Sequence, residues 1–297
     1  MAKEYVINKW SAELLLPAEK NVVSYPISNR TKGAIILTNL RVVFQTKKSK
    51  MGIPLKLITY IGKEISKWSK GEEDRTISLE CMLKSDRYKI IIYTSEEKIT
   101  DLIYYIRRQI IGKTTIYFKS PASKGGVVDT EQPWVKGTIK IDENFAKLNS
   151  PKKQVAIRVN SIVDHGRNIH AVDTKGKPSI TIIHVDEKAD EEVSTVIIGN
   201  DQRLSMIEDH LKDLTESLNA DLDLDDNINQ LLMALYTGDI DEENLSEMLD
   251  ISEGEIDGLY DRVIDLNLAK VVKVKRVVSL TNRGIRYIDI MMKKGLG

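Results

Sequence analysis

Length, composition and charge already narrow the class of protein. The chain has 297 residues, 41% of them hydrophobic and 30% charged, which is typical of globular proteins and is enough for two or three domains. No apolar run approaches the roughly 20 residues that a membrane-spanning helix needs. The first residues show no secretory signal, and the one cysteine, Cys81, cannot form an internal disulfide, so we expect a cytoplasmic protein.

The formal net charge of zero conceals an uneven distribution. Residues 1–220 carry 35 basic and 28 acidic side chains, whereas residues 221–266 carry 15 acidic side chains and a single basic one, Arg262. Residues 267–297 carry eight basic side chains and one acidic one, Asp289. Such a separation of charge concerns the partners that the chain meets rather than its fold.

The first two thirds of the sequence contain a weak internal repeat. The segment TKGAIILTNLRVVF has a counterpart in VKGTIKIDENFAKL, which aligns Gly33 with Gly137 at an offset of 104 residues. The segment IPLKLITYI has a counterpart in VAIRVNSIV, which aligns Ile53 with Val155 at an offset of 102 residues. A third pair, KIIIYTSEEKITDLIYYI and STVIIGNDQRLSMIEDHL, ends each copy and aligns Ile90 with Val196 at an offset of 106 residues. The repeat predicts two units of similar fold.

Each copy is predicted to contain several short strands followed by one helix. Runs of β-branched residues bounded by turn residues indicate the strands, including a hairpin around Asn39 and a second hairpin around the turn KGKP. Cys81 falls in a predicted strand, where a buried thiol is inert. Apolar residues at helical spacing indicate the two closing helices: Ile99, Leu102, Ile103, Ile106 and Ile110, then Leu204, Ile207, Leu211, Leu214 and Leu218.

About seven short strands and a closing amphipathic helix resemble a pleckstrin-homology-like domain, and GAIILTNLRVVF resembles the opening hairpin of GRAM-type members. The resemblance implies two such domains in tandem, over residues 1–112 and 113–219; another antiparallel barrel is the alternative. Many domains of this kind bind anionic lipid head groups, and the candidate here is the loop with Lys47, Lys48 and Lys50. Three lysines contribute only about 1 kcal/mol each, so we favour a solvated hairpin tip and expect no membrane as a direct ligand.

Residues 220–297 show a different pattern. The segment NINQLLMALYTG predicts a helix that ends at Gly238, and DEENLSEMLD predicts a short second helix. Ser252 and Glu255 form a capping box for a third helix, which two strands, AKVVKVK and RVVSLT, and a last helix over NRGIRYIDIMMKK follow. Helix, helix, helix, β-hairpin and helix predict a winged helix-turn-helix domain. The predicted fold class is therefore α+β.

A winged helix-turn-helix commonly reads DNA through the second helix of its turn motif. Affinity for DNA comes mostly from lysine and arginine that neutralise phosphates, so the charge on this helix has the wrong sign and nucleic acid is not the favoured partner. We favour a helix-turn-helix that contacts protein; a ligand-responsive DNA-binding transcription regulator is the alternative. The carboxylates that oppose the single Arg262 on this helix are Glu253, Glu255, Asp257, Asp261 and Asp265.

The sequence shows no motif that carries chemistry. Gly112, Lys113 and Thr114 resemble the end of a phosphate-binding loop, but Arg107 stands where that loop needs a glycine. The run DLDLDDN begins like a calcium loop but lacks its glycine and glutamate. We therefore expect no enzyme, no metal and no cofactor. HGRNIH is predicted as a turn, and the four histidines have no metal-ligand spacing: His165, His170, His184 and His210.

The joined pattern resembles a known family. The two β units, followed by LLMALYTG and then GEIDGLYDRVIDLNLAKVVKVKRVVSLTNRG, resemble the archaeal taxis protein family CheF; the most specific portion runs from Leu231 to Gly284. The resemblance implies a cytoplasmic adaptor that connects the phosphorylated response regulator CheY to the motor-switch proteins of the archaellum. Separate modules on one chain suit such an adaptor, because they raise the effective concentration of one partner near the other.

This resemblance transfers no contact residues, so the partner-binding residues are predicted from charge alone. The alternative interpretation is a set of solvated side chains on an ordinary wing. We predict that the basic side chains of the wing and of the last helix face an acidic protein surface: Lys270, Lys273, Lys275, Arg276, Arg283 and Arg286.

Overall fold

The computed structural model covers most of the chain. The structure describes residues 3–16, 30–63, 75–83, 86–167, 174–186, 189, 191–218, 222, 224–237, 245–246, 249, 251–266, 268–273 and 277–293. Two large antiparallel sheets and five helices are present among these residues, so the α+β class is confirmed.

The first β unit is a sheet of seven antiparallel strands in the order β4-β3-β2-β1-β7-β6-β5. The 3-10 turn Leu55–Leu57 alone separates the edge strands β4 and β5 in the chain, so the sheet curls until its edges approach. The strands are β1 Val6–Leu15, β2 Thr31–Thr38, β3 Arg41–Thr46, β4 Lys50–Pro54, β5 Ile58–Lys63, β6 Thr76–Leu83 and β7 Asp86–Tyr93, followed by helix α1 Glu96–Ile111.

The second β unit repeats this order as β12-β11-β10-β8-β15-β14-β13, with one additional short strand, β9, paired to β8. A 3-10 turn, Val159–Ser161, again joins the two edge strands. The strands are β8 Thr115–Lys124, β9 Val127–Val128, β10 Val135–Ile141, β11 Phe145–Asn149, β12 Gln154–Arg158, β13 Ile162–Arg167, β14 Ser179–Asp186 and β15 Glu191–Ile198, followed by helix α2 Asp201–Ser217.

The shared strand order confirms the internal repeat, and two glycines show how closely the copies agree. A Cβ atom on Gly33 would lie 2.6 Å from the carbonyl oxygen of Gln45, and one on Gly137 would lie 2.4 Å from that of Asn149. Both positions therefore need a residue without a side chain, because the neighbouring strand approaches too closely for any other. The predicted offset of 104 residues between these glycines is correct.

The predicted offset of 102 residues for the next segment is wrong. Ile53 pairs with Val42 across β4 and β3, whereas Ile157 pairs with Ala146 across β12 and β11. The equivalent of Ile53 is thus Ile157 and not Val155, and the offset is again 104 residues. A shift of two residues leaves every side chain on the same face of a strand, so the hydrophobic pattern alone could not detect it.

One predicted turn is also wrong. His165 lies in strand β13, which pairs with β14, and not in a turn. The structure confirms the hairpin of β2 and β3 around Asn39 and the strand after the KGKP turn. Residues 168–173, which include His170 and most of the first strand predicted for that second hairpin, lie outside the described residues.

A single hydrophobic cluster connects the two sheets with α1 and α2. Cys81 is completely buried in it, and this burial raises the pKa of the thiol to about 11. Between the two helices, the buried Arg107 donates hydrogen bonds to the carbonyl oxygen of Ile61 at 3.3 Å and to Asp213 at 2.6 Å. A buried guanidinium that keeps such partners ties both β units together through their closing helices.

The C-terminal unit has a second hydrophobic cluster of its own. Its element order matches the prediction, and Leu245, Ser246 and Leu249, in the segment predicted as a short helix, are helical. The strands β16 and β17 pair in antiparallel fashion and are named here the C-terminal hairpin. The elements are α3 Asp226–Thr237, α4 Glu253–Asp265, β16 Ala269–Lys273, β17 Val277–Leu280 and α5 Asn282–Lys293.

Candidate protein-interaction site

Helix α4 turns its apolar side inward and its acidic side outward. Glu255, Asp261 and Asp265 are exposed, so the carboxylates crowd the surface where a DNA-reading helix needs positive charge. This arrangement gives no support to the DNA-binding alternative. The apolar residues, spaced three and four apart, are buried in the core of the C-terminal unit: Ile256, Tyr260 and Val263.

The N-terminus of α4 carries the predicted capping box, which is confirmed. The carboxylate of Glu255 accepts hydrogen bonds from the backbone N–H of Ser252 at 2.9 Å and from its hydroxyl at 2.7 Å. These hydrogen bonds lower the pKa of Glu255 below its ordinary value. The carboxylate therefore keeps its charge, and its position at the helix N-terminus favours that charge.

The one basic side chain of α4 is already engaged. Arg262 donates a hydrogen bond to Asp225 at 2.7 Å, and both side chains are about half exposed. An exposed pair of this kind adds little stability, but it neutralises the only positive charge on the helix. The outer face of α4 is therefore negative.

The basic residues predicted to bind a partner separate into two groups. Lys270 and Lys273 lie in β16 of the C-terminal hairpin, and the side chain of Lys270 is exposed. Lys275 and Arg276 lie outside the described residues. The described members of the first group, Lys270 and Lys273, thus lie in the C-terminal hairpin, which follows the acidic helix α4 in the chain.

The second group, Arg283 and Arg286, lies in helix α5 and makes contacts within the chain. Arg283 donates hydrogen bonds to the carbonyl oxygens of Leu266, at the end of α4, and of Leu218, at the end of α2, at 3.0 and 3.3 Å. Arg286 is 6% exposed. Arg286 was predicted to lie at an outer surface, but its side chain is buried and points toward the second β unit.

Arg286 docks on the 3-10 turn of the second β unit. It donates hydrogen bonds to the carbonyl oxygen of Val159 at 3.1 Å and to that of Asn160 at 2.5 Å. Burial, together with the nearby positive charge of Arg283, lowers the pKa of Arg286 to about 10. The guanidinium therefore remains charged at neutral pH, and its two hydrogen bonds to this turn are charge-assisted.

An equivalent arginine contact joins the second β unit to the first. Arg203 of α2 donates a hydrogen bond to the carbonyl oxygen of Lys56 at 2.8 Å. Lys56 and Asn160 occupy the middle position of equivalent 3-10 turns. In each case an arginine from the last helix of the following unit binds the turn of the preceding unit, so one contact type holds all three units in sequence.

A glycine sets the position of α5 against the C-terminal hairpin. A Cβ atom on Gly284 would lie 2.2 Å from the carbonyl oxygen of Leu268, which also accepts a hydrogen bond from the backbone N–H of Thr281 at 2.8 Å. Gly284 ends the segment that carries the family resemblance. Position 284 therefore needs glycine, because α5 could not begin so close to β16 with any other residue.

Two further features bear on the class of site. Across the part of the chain that the structure describes, no group of three or more histidine, cysteine, aspartate or glutamate side chains comes together in a way that could hold a metal ion. No helix among the described residues is both long and apolar enough to cross a membrane.

Comparisons with known proteins identify the family. A family model described as archaeal chemotaxis signal transduction system protein F matches residues 18–217. The chain belongs to this family. Proteins of this CheF family act in chemotaxis signal transduction, so this chain has a role in chemotaxis signalling. A second family model, described as a domain of unknown function (DUF8579), matches residues 223–293.

A curated relative supports the same family. Taxis protein CheF1 of Halobacterium salinarum (strain ATCC 29341 / DSM 671 / R1) is 23% identical over 256 residues, which cover 86% of each chain. Among solved structures, the C-terminal domain of an unknown protein from Leishmania infantum is 14% identical, with a TM-score of 0.26, over 35% of this chain and 84% of that chain. A likeness of that size carries no argument about fold or function.

The sequence did not reveal the arginines that dock one unit on the next. Arg203 and Arg286 stand in amphipathic helices among other charged residues, and their acceptors are carbonyl groups 147 and 126 residues away. No side-chain pattern marks a backbone acceptor. The repeat itself was the available signal, because the two acceptor turns are equivalent positions in its two copies.

Proposed function

We propose that the chain is a non-catalytic chemotaxis adaptor that links the phosphorylated response regulator CheY to the motor-switch proteins of the archaellum, and so controls rotation switching. The match of the chemotaxis family model over residues 18–217 is the observation that carries this proposal. The similarity to a taxis protein over 86% of both chains supports it. The proposed adaptor works in the cytoplasm.

The proposed architecture has three binding modules. Two pleckstrin-homology or GRAM-like domains cover residues 1–112 and 113–219, and a winged helix-turn-helix covers residues 220–297. The common strand order of the two sheets and their closing helices support the first assignment. The C-terminal hairpin between α4 and α5 supports the second. Modules on one chain hold two partners at a high mutual concentration, as an adaptor requires.

The proposed contact surface is the basic C-terminal hairpin. Lys270, Lys273, Lys275 and Arg276 would meet an acidic surface of a partner protein, and complementary charge would guide their encounter. Arg283 and Arg286 would contribute indirectly, because their hydrogen bonds hold α5 and therefore the hairpin in place.

Phosphorylation of the regulator would be sensed through its shape. A response regulator exchanges between two surface conformations, and a partner that binds one of them more tightly follows its population. An adaptor of this kind needs no phosphate-binding group of its own at the contact. The phosphorylated form would bind better because it presents the preferred surface for a larger fraction of time.

Charge reversal in the hairpin tests this contact. The double variant Lys270→Glu and Lys273→Glu is expected to bind phosphoryl-mimic-loaded CheY roughly tenfold more weakly, because two attractive charges become repulsive. Isothermal titration at fixed ionic strength measures the effect. The matched control is Lys136→Glu with Lys140→Glu, which reverses two exposed lysines on β10. Equal affinity in both double variants would remove the hairpin from the contact.

A further inference from the structure

A cavity of about 380 Å³ opens in the second β unit. It lies between the end of β8, the edge strand β12, the last residues of β14 and the first part of β15. Its wall combines apolar side chains with polar and charged ones. The polar members that the following argument uses are Ser120, Lys124, Lys153, Arg158, His184 and Asp186.

A buried chain of hydrogen bonds forms the floor of this cavity. His184 and Thr195 are linked at 3.2 Å between Nε2 and Oγ1, and Thr195 and Ser120 are linked at 2.7 Å between their hydroxyl oxygens. All three residues are buried. Burial lowers the pKa of His184, so the imidazole is neutral at pH 7 and can join such a chain without a charge. A hydroxyl offers one donor and two acceptors, so Ser120 retains capacity for a ligand.

The first β unit has an apolar side chain where the second has His184. Ile58, which begins β5, pairs with Cys81 of β6. Ile162, which begins β13, pairs with His184 of β14. Cys81 is part of the hydrophobic cluster, so the repeat shows that this position of the fold tolerates a plain apolar core residue.

The position of Thr195 gives the same result, and it shows that the predicted alignment of Ile90 with Val196 is wrong by one residue. Thr195 of β15 pairs with Ile182, as Ile90 of β7 pairs with Leu79 in the first unit. Ile90 is buried in the hydrophobic cluster. Folding alone therefore does not require the polar chain, because buried polar groups are at best weakly stabilising relative to well-packed apolar ones. Polar residues replace the apolar ones in the second unit only, and this difference points to a ligand in the second unit.

Positive charge surrounds the mouth of the cavity. Lys153 is half-buried and its ammonium group contacts the carbonyl oxygen of Ser120 and, at 3.5 Å, the side-chain oxygen of Gln132. Lys124 is exposed at the rim, and no described residue pairs with its ammonium group. Arg158 adds a third cation and Asp186 one carboxylate, which leaves the wall with an excess of positive charge.

We infer that this cavity binds a small multivalent oxyanion of the phosphate type. Lys124, Lys153 and Arg158 neutralise its charge, and the Ser120 hydroxyl, held in place by Thr195 and His184, hydrogen-bonds to one of its oxygens. The anion could belong to a free phosphate compound or to a lipid head group, since both present the same chemistry. This inference does not depend on the proposed adaptor function.

Titration with inorganic pyrophosphate tests the site on the full chain. Lys124→Ala is expected to weaken binding roughly tenfold, because it removes one charge-assisted contact. Lys136→Ala removes an exposed lysine of the same unit outside the cavity and is expected to leave the affinity unchanged. Equal losses in both variants, or no binding of pyrophosphate to the natural chain, would overturn the inference.

A second variant replaces the floor by the residues of the first unit. The double change His184→Cys and Thr195→Ile is expected to keep the melting temperature at least as high as in the natural chain and to weaken pyrophosphate binding roughly tenfold. Unchanged binding in this folded variant would contradict the role of the polar chain.

Vesicles that contain phosphatidic acid, whose head group is a multivalent phosphomonoester, distinguish the two sources of the anion. Co-sedimentation that depends on Lys124 and that pyrophosphate abolishes would assign the site to a lipid head group. Binding of pyrophosphate without co-sedimentation would assign it to a free anion. Both results support the site, whereas co-sedimentation that persists in Lys124→Ala, with no pyrophosphate binding, contradicts it.

Discussion

Replacing Arg286 with alanine is expected to release α5 from the second β unit. The variant loses two charge-assisted hydrogen bonds, to the carbonyl oxygens of Val159 and Asn160, each of which contributes about 1.5–3 kcal/mol. The energy needed to bury the guanidinium offsets part of this loss, so we expect the docked state to lose about 3 kcal/mol. The whole chain need not unfold, because the C-terminal unit has its own core.

Hydrogen exchange measures this effect locally. A loss of about 3 kcal/mol makes the backbone amides of α5 exchange roughly 100-fold faster, since each 1.4 kcal/mol changes an opening equilibrium tenfold. Amides of β2 and β3 in the first β unit should keep their protection. The control is Lys270→Ala, which removes an exposed lysine of the same C-terminal unit. Similar exchange of α5 in both variants would mean that Arg286 does not hold the units together.

Acid is expected to weaken the contact between α1 and α2 through His210. This buried histidine of α2 packs against Tyr104 of α1 at 5.2 Å between ring centroids. Its Nε2 atom is buried without a hydrogen-bond partner among the described residues. Burial, together with the nearby charges of Arg107 and Arg108, lowers the pKa of His210 to about 4.

The direction of the pH effect follows from that pKa. Between its ordinary pKa of 6.5 and about 4, the unfolded chain binds a proton at His210 and the folded chain does not. The stability that His210 contributes is therefore complete above pH 6.5 and falls as the pH decreases through this window. At about 1.4 kcal/mol per pKa unit, we expect a loss of about 3 kcal/mol between pH 7 and pH 4.

A histidine variant separates this effect from every other titrating group. His210→Asn keeps an amide N–H near the imidazole Nδ1 position and cannot titrate, and His210→Gln serves as a second variant if the first does not fold. The free energy of unfolding of each protein is compared at pH 7 and pH 4. The natural chain should lose about 3 kcal/mol more than the variant. Parallel losses in both would assign the acid sensitivity to other groups.

Patterns of apolar and polar residues predicted most strands and helices and the existence of the repeat, but not the strand that contains His165 or the alignment of Ile53. The closing helices lie over the predicted apolar positions, and both curled sheets follow one strand order. The register of β4 against β12 was not predictable in this way, because strand periodicity repeats every two residues. Pairing with β3 and β11 fixes that register, and such pairing is a property of the folded chain.

Charge patterns predicted the sign of a surface but not whether each charged side chain is buried or exposed. The exposed carboxylates of α4 agree with the acidic segment seen in the sequence. Arg286 carries the same charge as Lys270, yet one is buried and the other is exposed. Their difference arises from a pair of backbone carbonyls in another unit, and the sequence gives no sign of these acceptors.

The polar floor of the cavity in the second β unit could not be predicted from the sequence either. His184 and Thr195 look like ordinary residues of predicted strands, and only the pairing registers reveal that they replace Cys81 and Ile90 of the first unit. A repeat whose copies are aligned by structure therefore acts as an internal control. It distinguishes the residues that the fold requires from the residues that one copy has acquired.

The affinity of the full chain for CheY, with and without a phosphoryl mimic such as beryllofluoride, tests the adaptor proposal most directly. Isothermal titration should show binding at least roughly tenfold tighter for the mimic-loaded regulator, because only that form presents the preferred surface for most of the time. Equal affinity for both forms, or no binding to either, would contradict the proposal that this chain transmits the phosphorylation signal.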